Sequence, residues 1–204
     1  MAKSKIQTTT NLALSQISLL EKYVLSMNTI EVKFQYFISE LVMLRLFTII
    51  ETSIEEIAYK LATGATYLNG NPPKLLVSPC VSIQAAKNNM RNLNRYKPTD
   101  LHWTKATYIK ESIKYLLDSS DYFAQNIDKH GSIISEMRKV RVHIAHRDAD
   151  SRKGFKDVIR QSYGANLRLT VGAFLISTKR KPMANLEVYI KTSRILLNDI
   201  ATGK

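Results

Sequence analysis

Phe34-Gln35-Tyr36-Phe37-Ile38-Ser39-Glu40-Leu41-Val42-Met43-Leu44-Arg45-Leu46-Phe47-Thr48-Ile49-Ile50 is apolar on almost every side when wound as an α-helix. A helix with so little polar surface belongs in the middle of a core. The spacing predicts that it runs from about Val32 to Leu61, with Gly64 as its stop. Its most apolar part, Leu41 to Ile50, is interrupted by Arg45 and closed by Glu51, which makes it too short to cross a bilayer.

Working outward, residues from about 11 to 27 carry Leu12, Leu14, Ile17, Leu20, Tyr23, Val24 and Met27, a second helical stripe. On the other side, residues 64–80 hold Asn69-Gly70-Asn71-Pro72-Pro73 and Pro79, and the double proline excludes a helix there. A short helix is expected over Ile83–Leu93, then a turn at Pro98-Thr99-Asp100. From Trp103, the residues Ala106, Ile109, Ile113, Leu116 and Leu117 share one helical face. Asp118-Ser119-Ser120-Asp121 offers a break or a cap, and Gly131-Ser132 marks a further boundary. A helix over 132–146 carries Ile133, Met137, Val140 and Ile144. Asp148 to Arg152 reads as a polar loop, residues 153–163 as helical, and Leu167-Arg168-Leu169-Thr170-Val171 as a short strand or an irregular arm. After the basic turn Lys179-Arg180-Lys181-Pro182, the stripe Leu186, Tyr189, Ile190, Ser193, Leu196, Leu197 and Ile200 predicts a closing helix. The fold class is all-α: a helical bundle with a long loop near 64–80 and a basic C-terminal region. It reads as one domain over 1–204, with the helix at 7–28 as a possible extension.

Composition agrees with a folded bundle. The chain is 45% hydrophobic, and only five prolines and seven glycines interrupt it. The net charge of +13 is one-sided. Residues 138–204 hold fifteen Lys/Arg against five Asp/Glu, whereas residues 1–137 hold fifteen against twelve. A clustered basic surface attracts polyanions, of which nucleic acid is the commonest, although a solvated basic face without a specific ligand has the same composition. Cys80 is the only cysteine, so there is no internal disulfide and no zinc-finger spacing, and a reducing compartment fits. Met1-Ala2-Lys3-Ser4-Lys5 leads into polar residues and not into a secretory signal, so a cytoplasmic protein is expected, without a membrane partner.

The chemistry concentrates at the end of the 132–146 helix. With Ile133 set to zero, Arg141 falls at about 80° around the axis, between Met137 and Ile134, inside the apolar stripe. A guanidinium there needs a carboxylate, a partner chain or a phosphate, since burying it unpaired costs several kcal/mol. Glu51 or Glu55 is a candidate structural partner. His143 and His146 are three residues apart, share a face and titrate near neutrality. His146 lies about 140° from Arg141 if the helix continues. The two converge on one phosphate only if the helix ends near Ala145 or a second subunit completes the site. An imidazole and a guanidinium meeting at a phosphodiester supply proton transfer and charge stabilisation without a metal. Attack by a 2′-hydroxyl makes that chemistry specific for RNA.

Arg141-Val142-His143-Ile144-Ala145-His146 resembles the Arg-x4–6-His motif of the HEPN superfamily, often written Arg-Asn-x-Ile-Ala-His near the end of a late helix. Leu44 to Ile57, with Glu51 after a hydrophobic run, resembles the early helix of such domains. The resemblance covers about residues 35–200 in helix order, and its specific part is the six-residue motif. It implies a HEPN-type bundle, a homodimer with motifs facing across the interface, and a metal-independent endoribonuclease of the toxin–antitoxin or antiviral-defence kind, cleaving RNA through 2′-hydroxyl attack. Arg141 and His146 would be catalytic, and His143, Glu51 and Arg138 supporting. Arg147, Arg152, Lys153, Lys179, Arg180 and Lys181 would hold RNA. An antitoxin or another defence-system protein would be a partner, and no cofactor or metal would be needed. The departure is Val142, where active members usually carry Asn, Asp or His. Val142 favours the alternative: a catalytically silent HEPN-like module that binds RNA or a protein.

Other chemistries have weaker carriers. His143, His146, Asp148 and Asp150 offer metal ligands in type only, with no thiolate among them. Cys80 has Pro79 and Val81 as neighbours and no base nearby in sequence. No Gly-rich phosphate loop ending in Lys-Ser/Thr is present, and no segment reads as a DNA-recognition helix.

Overall fold

The all-round apolar helix forms the axis of the molecule in a computed structural model that describes residues 5–93, 101–179 and 182–204. It is α2, Val32–Ala62, preceded by α1, Ile6–Ser26, and a short 3-10 turn, Met27–Thr29. There follow α3 (Ile83–Leu93), α4 (Ala106–Ile113), α5 (Tyr122–Lys129), α6 (Gly131–His146), α7 (Ala149–Tyr163), α8 (Val171–Ile176) and α9 (Asn185–Thr202). Among the described residues there is no strand, only an isolated bridge between Leu75 and Leu117. The molecule is all-α, and no described helix is long and apolar enough to cross a membrane.

α2 packs against α1, α3, α6, α8 and α9. That environment buries Met43, Leu46, Ile54, Ile57, Ala58 and Leu61 completely. α1 folds back along α2 and is fixed by a buried polar knot. Lys60 Nζ lies 2.7 Å from Glu56 Oε1 and donates to Thr9 Oγ1 at 2.6 Å and to the Lys5 carbonyl at 3.1 Å. A lysine inside a core is tolerable because its ammonium meets one carboxylate and two further acceptors. α9 closes the other side of α1, where Arg194 grips Glu21 with two nitrogens, at 2.8 and 2.6 Å, and bonds Ser18 Oγ. The N-terminal helix is thus part of the main core: Ile6, Ala13, Ile17, Leu20 and Val24 are all buried.

The segment between α2 and α3 is irregular, as its prolines require, yet it is tied down. Gly64 takes the left-handed conformation, φ +81, that ends α2. Asp121, fully buried, caps α5 through Phe123 N at 2.9 Å and accepts from Lys74 N at 2.8 Å and from the Tyr67 hydroxyl. Asn69 Nδ2 reaches the Gly203 carbonyl at 3.0 Å, and Leu68 N the Ala201 carbonyl at 2.9 Å.

Two local expectations need correcting, and a third segment, open between strand and irregular arm, is decided. Asp148–Arg152 is not a loop: Asp148 is the N-cap of α7, accepting from Ser151 N at 2.7 Å, and the helix starts at Ala149. The cap and the first turn are themselves the polar residues that suggested a loop. Leu116 and Leu117 continue the apolar face of α4 but lie beyond its end, in a turn closed by hydrogen bonds to the Ile113 carbonyl. The alternating stretch after residue 166 is an irregular arm that leads into α8, capped by Thr170 Oγ1 accepting from Ala173 N at 3.2 Å. The expected turn at Pro98-Thr99-Asp100 lies outside the described residues.

Candidate functional site

α6 is helical through His146, packs on α2, and is followed at once by α7, which runs back along it. Its buried residues are Ile134, Met137 and Val140, while Ile133 and Ile144 are half-buried. The buried stripe is therefore centred roughly 30° further round than Ile133 and Ile144 alone suggest, towards Arg141. This rotation carries Arg141 to the α2 seam, where it acts on Glu51. Burial pushes the Glu51 carboxyl above its ordinary range, Arg141 pulls it down, Glu55 pushes it up and His102 opposes the rise. Among the described residues, no carboxylate oxygen lies within 4.0 Å of the Arg141 guanidinium. The Glu55 carboxylate instead accepts the Tyr59 hydroxyl at 2.8 Å. Arg138, one turn earlier, is half-exposed.

His143 faces the α6–α7 seam. Its Nδ1 lies 3.0 Å from Ser151 Oγ, and its ring stacks on Phe155 at a centroid distance of 5.1 Å. Burial, then Arg152 and Arg147, lower its pKa against the opposing pull of Asp148 and Glu40. These contacts hold its neutral form and give it a packing role.

His146 is the last residue of α6 and is exposed. Arg147 ends the helix in the left-handed conformation, φ +53, and its Nη2 bonds Glu40 Oε2 at 3.0 Å. The other oxygen of Glu40 accepts from Gly172 N at 3.1 Å. One carboxylate of α2 thus fastens the end of α6 and the start of α8. Because the helix does not break before His146, Arg141 and His146 point about 140° apart around its axis. One chain does not bring them together.

No protein-family model, curated protein or solved structure matches this chain. The site stands on its own residues.

Of the basic residues expected to hold RNA, Arg152, Lys153 and Lys179 are exposed. Arg147 is engaged by Glu40, and Arg180 and Lys181 lie outside the described residues. Sequence reasoning missed Lys156, Arg160 and Arg168, which join Lys153 around a cavity of about 560 Å³. The spacing of Lys153, Lys156 and Arg160 at three and four residues was the available signal, since such residues share a helical face. Among the described residues, no group of three or more His, Cys, Asp or Glu side chains is placed to hold a metal ion. Cys80 is buried, with Asn89 Nδ2 3.4 Å from its sulfur.

Large apolar side chains stand exposed on α2 and on α1. Phe34, Phe37 and Leu41 of α2 are 51, 61 and 48% exposed, and Leu12, Leu19 and Tyr23 of α1 are 59, 49 and 50% exposed. With Phe37 at zero, Leu41 and Phe34 fall at about 40° and 60° around α2, Glu40 and Glu51 at about −60° and −40°, and Glu56 and Lys60 at about 100° and 140°. The exposed stripe therefore lies between the side of α2 that meets α1, through Thr9, and the side that meets Arg141 and Arg147.

Proposed function

We propose that this protein is a metal-independent endoribonuclease of the HEPN type, acting as a homodimer in which Arg141 and His146 come from sites completed across the twofold axis. One observation carries the reading: His146 ends α6 in solvent, Arg141 is turned away from it to the α2 seam, and α2 leaves the apolar stripe of Phe34, Phe37 and Leu41 exposed next to Glu40, which holds the end of α6. A contiguous apolar surface of this kind marks an interaction face. A second copy there would supply what one chain lacks, an arginine within reach of an exposed imidazole.

In that arrangement, one imidazole removes the proton of the ribose 2′-hydroxyl, whose oxygen attacks the adjacent phosphorus. The bond to the 5′-oxygen breaks, a proton returns to that oxygen, and the products are a 2′,3′-cyclic phosphate and a 5′-hydroxyl. The Arg141 guanidinium neutralises charge on the phosphoryl oxygens. The resemblance adds a defence or toxin role in the cytoplasm, with an antitoxin or another defence protein as a partner.

The test is cleavage of RNA by purified protein in excess EDTA. Activity survives chelation, and His146→Ala and Arg141→Ala each lower it at least about a hundredfold. Arg141→Lys does not rescue fully, because a point charge does not reproduce the planar fork. Helical circular dichroism of each variant separates loss of chemistry from loss of fold.

A second reading, a silent module that binds RNA or protein, is favoured by Val142, which has no hydrogen-bonding side chain, and by the engagement of His143 with Ser151 and Phe155. Tight RNA binding without cutting selects it. Val142→Asn then restores activity if the missing polar group is the whole cause.

A further inference from the structure

The cavity lined by Lys153, Lys156, Asp157, Arg160, Asn166, Leu167 and Arg168 combines one helix face with the irregular arm. α7 ends at Gly164, φ +66, so the chain turns back over its own helix. Leu167 and Leu169 pack against the core, and Arg168 between them is exposed. The alternation that suggested a strand thus anchors the arm at two points and leaves Arg168 at the groove. On the helix side, Lys153, Lys156 and Arg160 span about 10 Å of the outer face of α7.

Several cations elsewhere on the molecule are neutralised by a neighbouring carboxylate. Lys60, Lys110, Lys114, Lys129, Arg147 and Arg194 each lie within 3.0 Å of a carboxylate oxygen. In the groove only Arg160 is so paired, with Asp157 at 2.9 Å. Lys153, Lys156 and Arg168 line the same concavity with no ion pair among the described residues. Like charges gathered in a groove repel one another and concentrate an oppositely charged ligand. Asn166 adds an exposed amide at the groove.

We propose that this groove is a phosphate-backbone track for an RNA strand, separate from the Arg141–His146 motif, in which Lys153, Lys156 and Arg168 each contact a phosphate and Arg160 shares its guanidinium between Asp157 and the strand. α7 starts three residues after His146, so the track leads away from the chemical end of α6 along the helix. It would hold substrate against the enzyme without reading its sequence, because phosphate contacts fix position and not identity. The assignment rests on the RNA reading above, and the experiment separates the two.

The full-length chain is titrated with a fluorescent single-stranded RNA in EDTA, by anisotropy, across a series of salt concentrations. The comparison is wild type, Lys153→Gln/Lys156→Gln/Arg168→Gln, and a charge-matched control, Lys22→Gln/Lys33→Gln/Lys191→Gln. Lost contacts to three phosphates lower the slope of log K against log salt by about 2 and weaken binding roughly 50-fold at moderate salt, given about 0.7 per single-stranded contact. The control variant keeps most of the wild-type slope. All substituted residues are exposed, so the helical signal and melting temperature stay in place, and both are measured. Equal slopes for the groove and control variants overturn the track while leaving the nuclease reading intact. A wild type that binds no RNA even at low salt overturns both. Cleavage by a wild type whose groove variant also cuts and binds normally overturns the track alone.

Discussion

Among the glycines, Gly172 leaves the least room for a side chain, and replacing it gives the sharpest test of the packing. A Cβ built at Gly172 would stand 2.3 Å from Tyr36 Cβ, 2.6 Å from Tyr36 Cα and 2.9 Å from the Tyr36 carbonyl oxygen. Two of these three atoms belong to the backbone of α2, so a rotamer change cannot relieve the overlap. α8 would have to move away from α2 by about an ångström, yet Phe174 and Leu175 are fully buried and hold it in place. The shift would also strain the bond from Gly172 N to Glu40 and, through the shared carboxylate, the grip on Arg147. Overpacking of this kind costs about 3 kcal/mol or more. For a chain of this length that lowers the melting temperature by roughly 6–12 °C. Gly172→Ala is compared with wild type by thermal melting and urea titration. Gly154→Ala is the counterweight: its Cβ meets only the flexible Lys139 side chain, at 3.6 Å or more, in the middle of α7. Removing a helical glycine there stabilises by about 0.5–1 kcal/mol. A Gly172→Ala protein less than about 1 kcal/mol weaker than wild type would refute the α2–α8 contact.

Asp121→Ala removes a helix cap and leaves Lys74 N and the Tyr67 hydroxyl without their buried acceptor, so urea unfolding should show a loss of about 3–5 kcal/mol. Stability should fall with acidification below about 6.5, because His143 has a lowered pKa in the fold: the neutral form is favoured, the unfolded chain takes up its proton first, and the stabilisation present above the unfolded value is lost as pH drops through the folded one. His143→Gln should flatten that dependence, and an unchanged slope would remove His143 as its source. Phe37→Glu and Leu41→Glu should turn the expected dimer into a monomer by sedimentation velocity with little change in melting temperature; a wild type that is already monomeric at micromolar concentration sinks the twofold arrangement. Glu51→Gln relieves a carboxyl that burial disfavours when ionised, so at neutral pH melting should show no loss of stability even though Arg141 stands close by.

Most of the helices were legible because their apolar periodicity and their punctuation agree. α2 and α3 begin where the pattern places them, and Gly64 and Asp121 perform the stop and cap that their residue types suggested. α8 was invisible because a six-residue helix has too few turns to express a period. The start of α7 was hidden because its first turn, Ala149-Asp150-Ser151-Arg152, carries no large apolar residue to mark a period. The candidate motif was legible as chemistry and not as geometry. Spacing on one helix gives the angle between Arg141 and His146, and the structure leaves that angle open. Nothing in the spacing of His143 told of Ser151 and Phe155, since its partners are decided by how α7 folds back. The groove was half legible, since three of its cations share a helix face, while Arg168 joins them only through the reversal at Gly164.

α9, described above as the helix that closes the bundle, also touches α1, α2, α5, α6 and α8. During translation it is made after every helix it covers. At about 5–20 residues per second the ribosome takes roughly ten to forty seconds to pass from α1 to the end of α9, and for that time the apolar sides of α1 and α2 lack their final cover. Damage to α9, such as a polar residue at Leu197, will appear first as aggregation and low yield in cells, before any assay of the finished protein detects it.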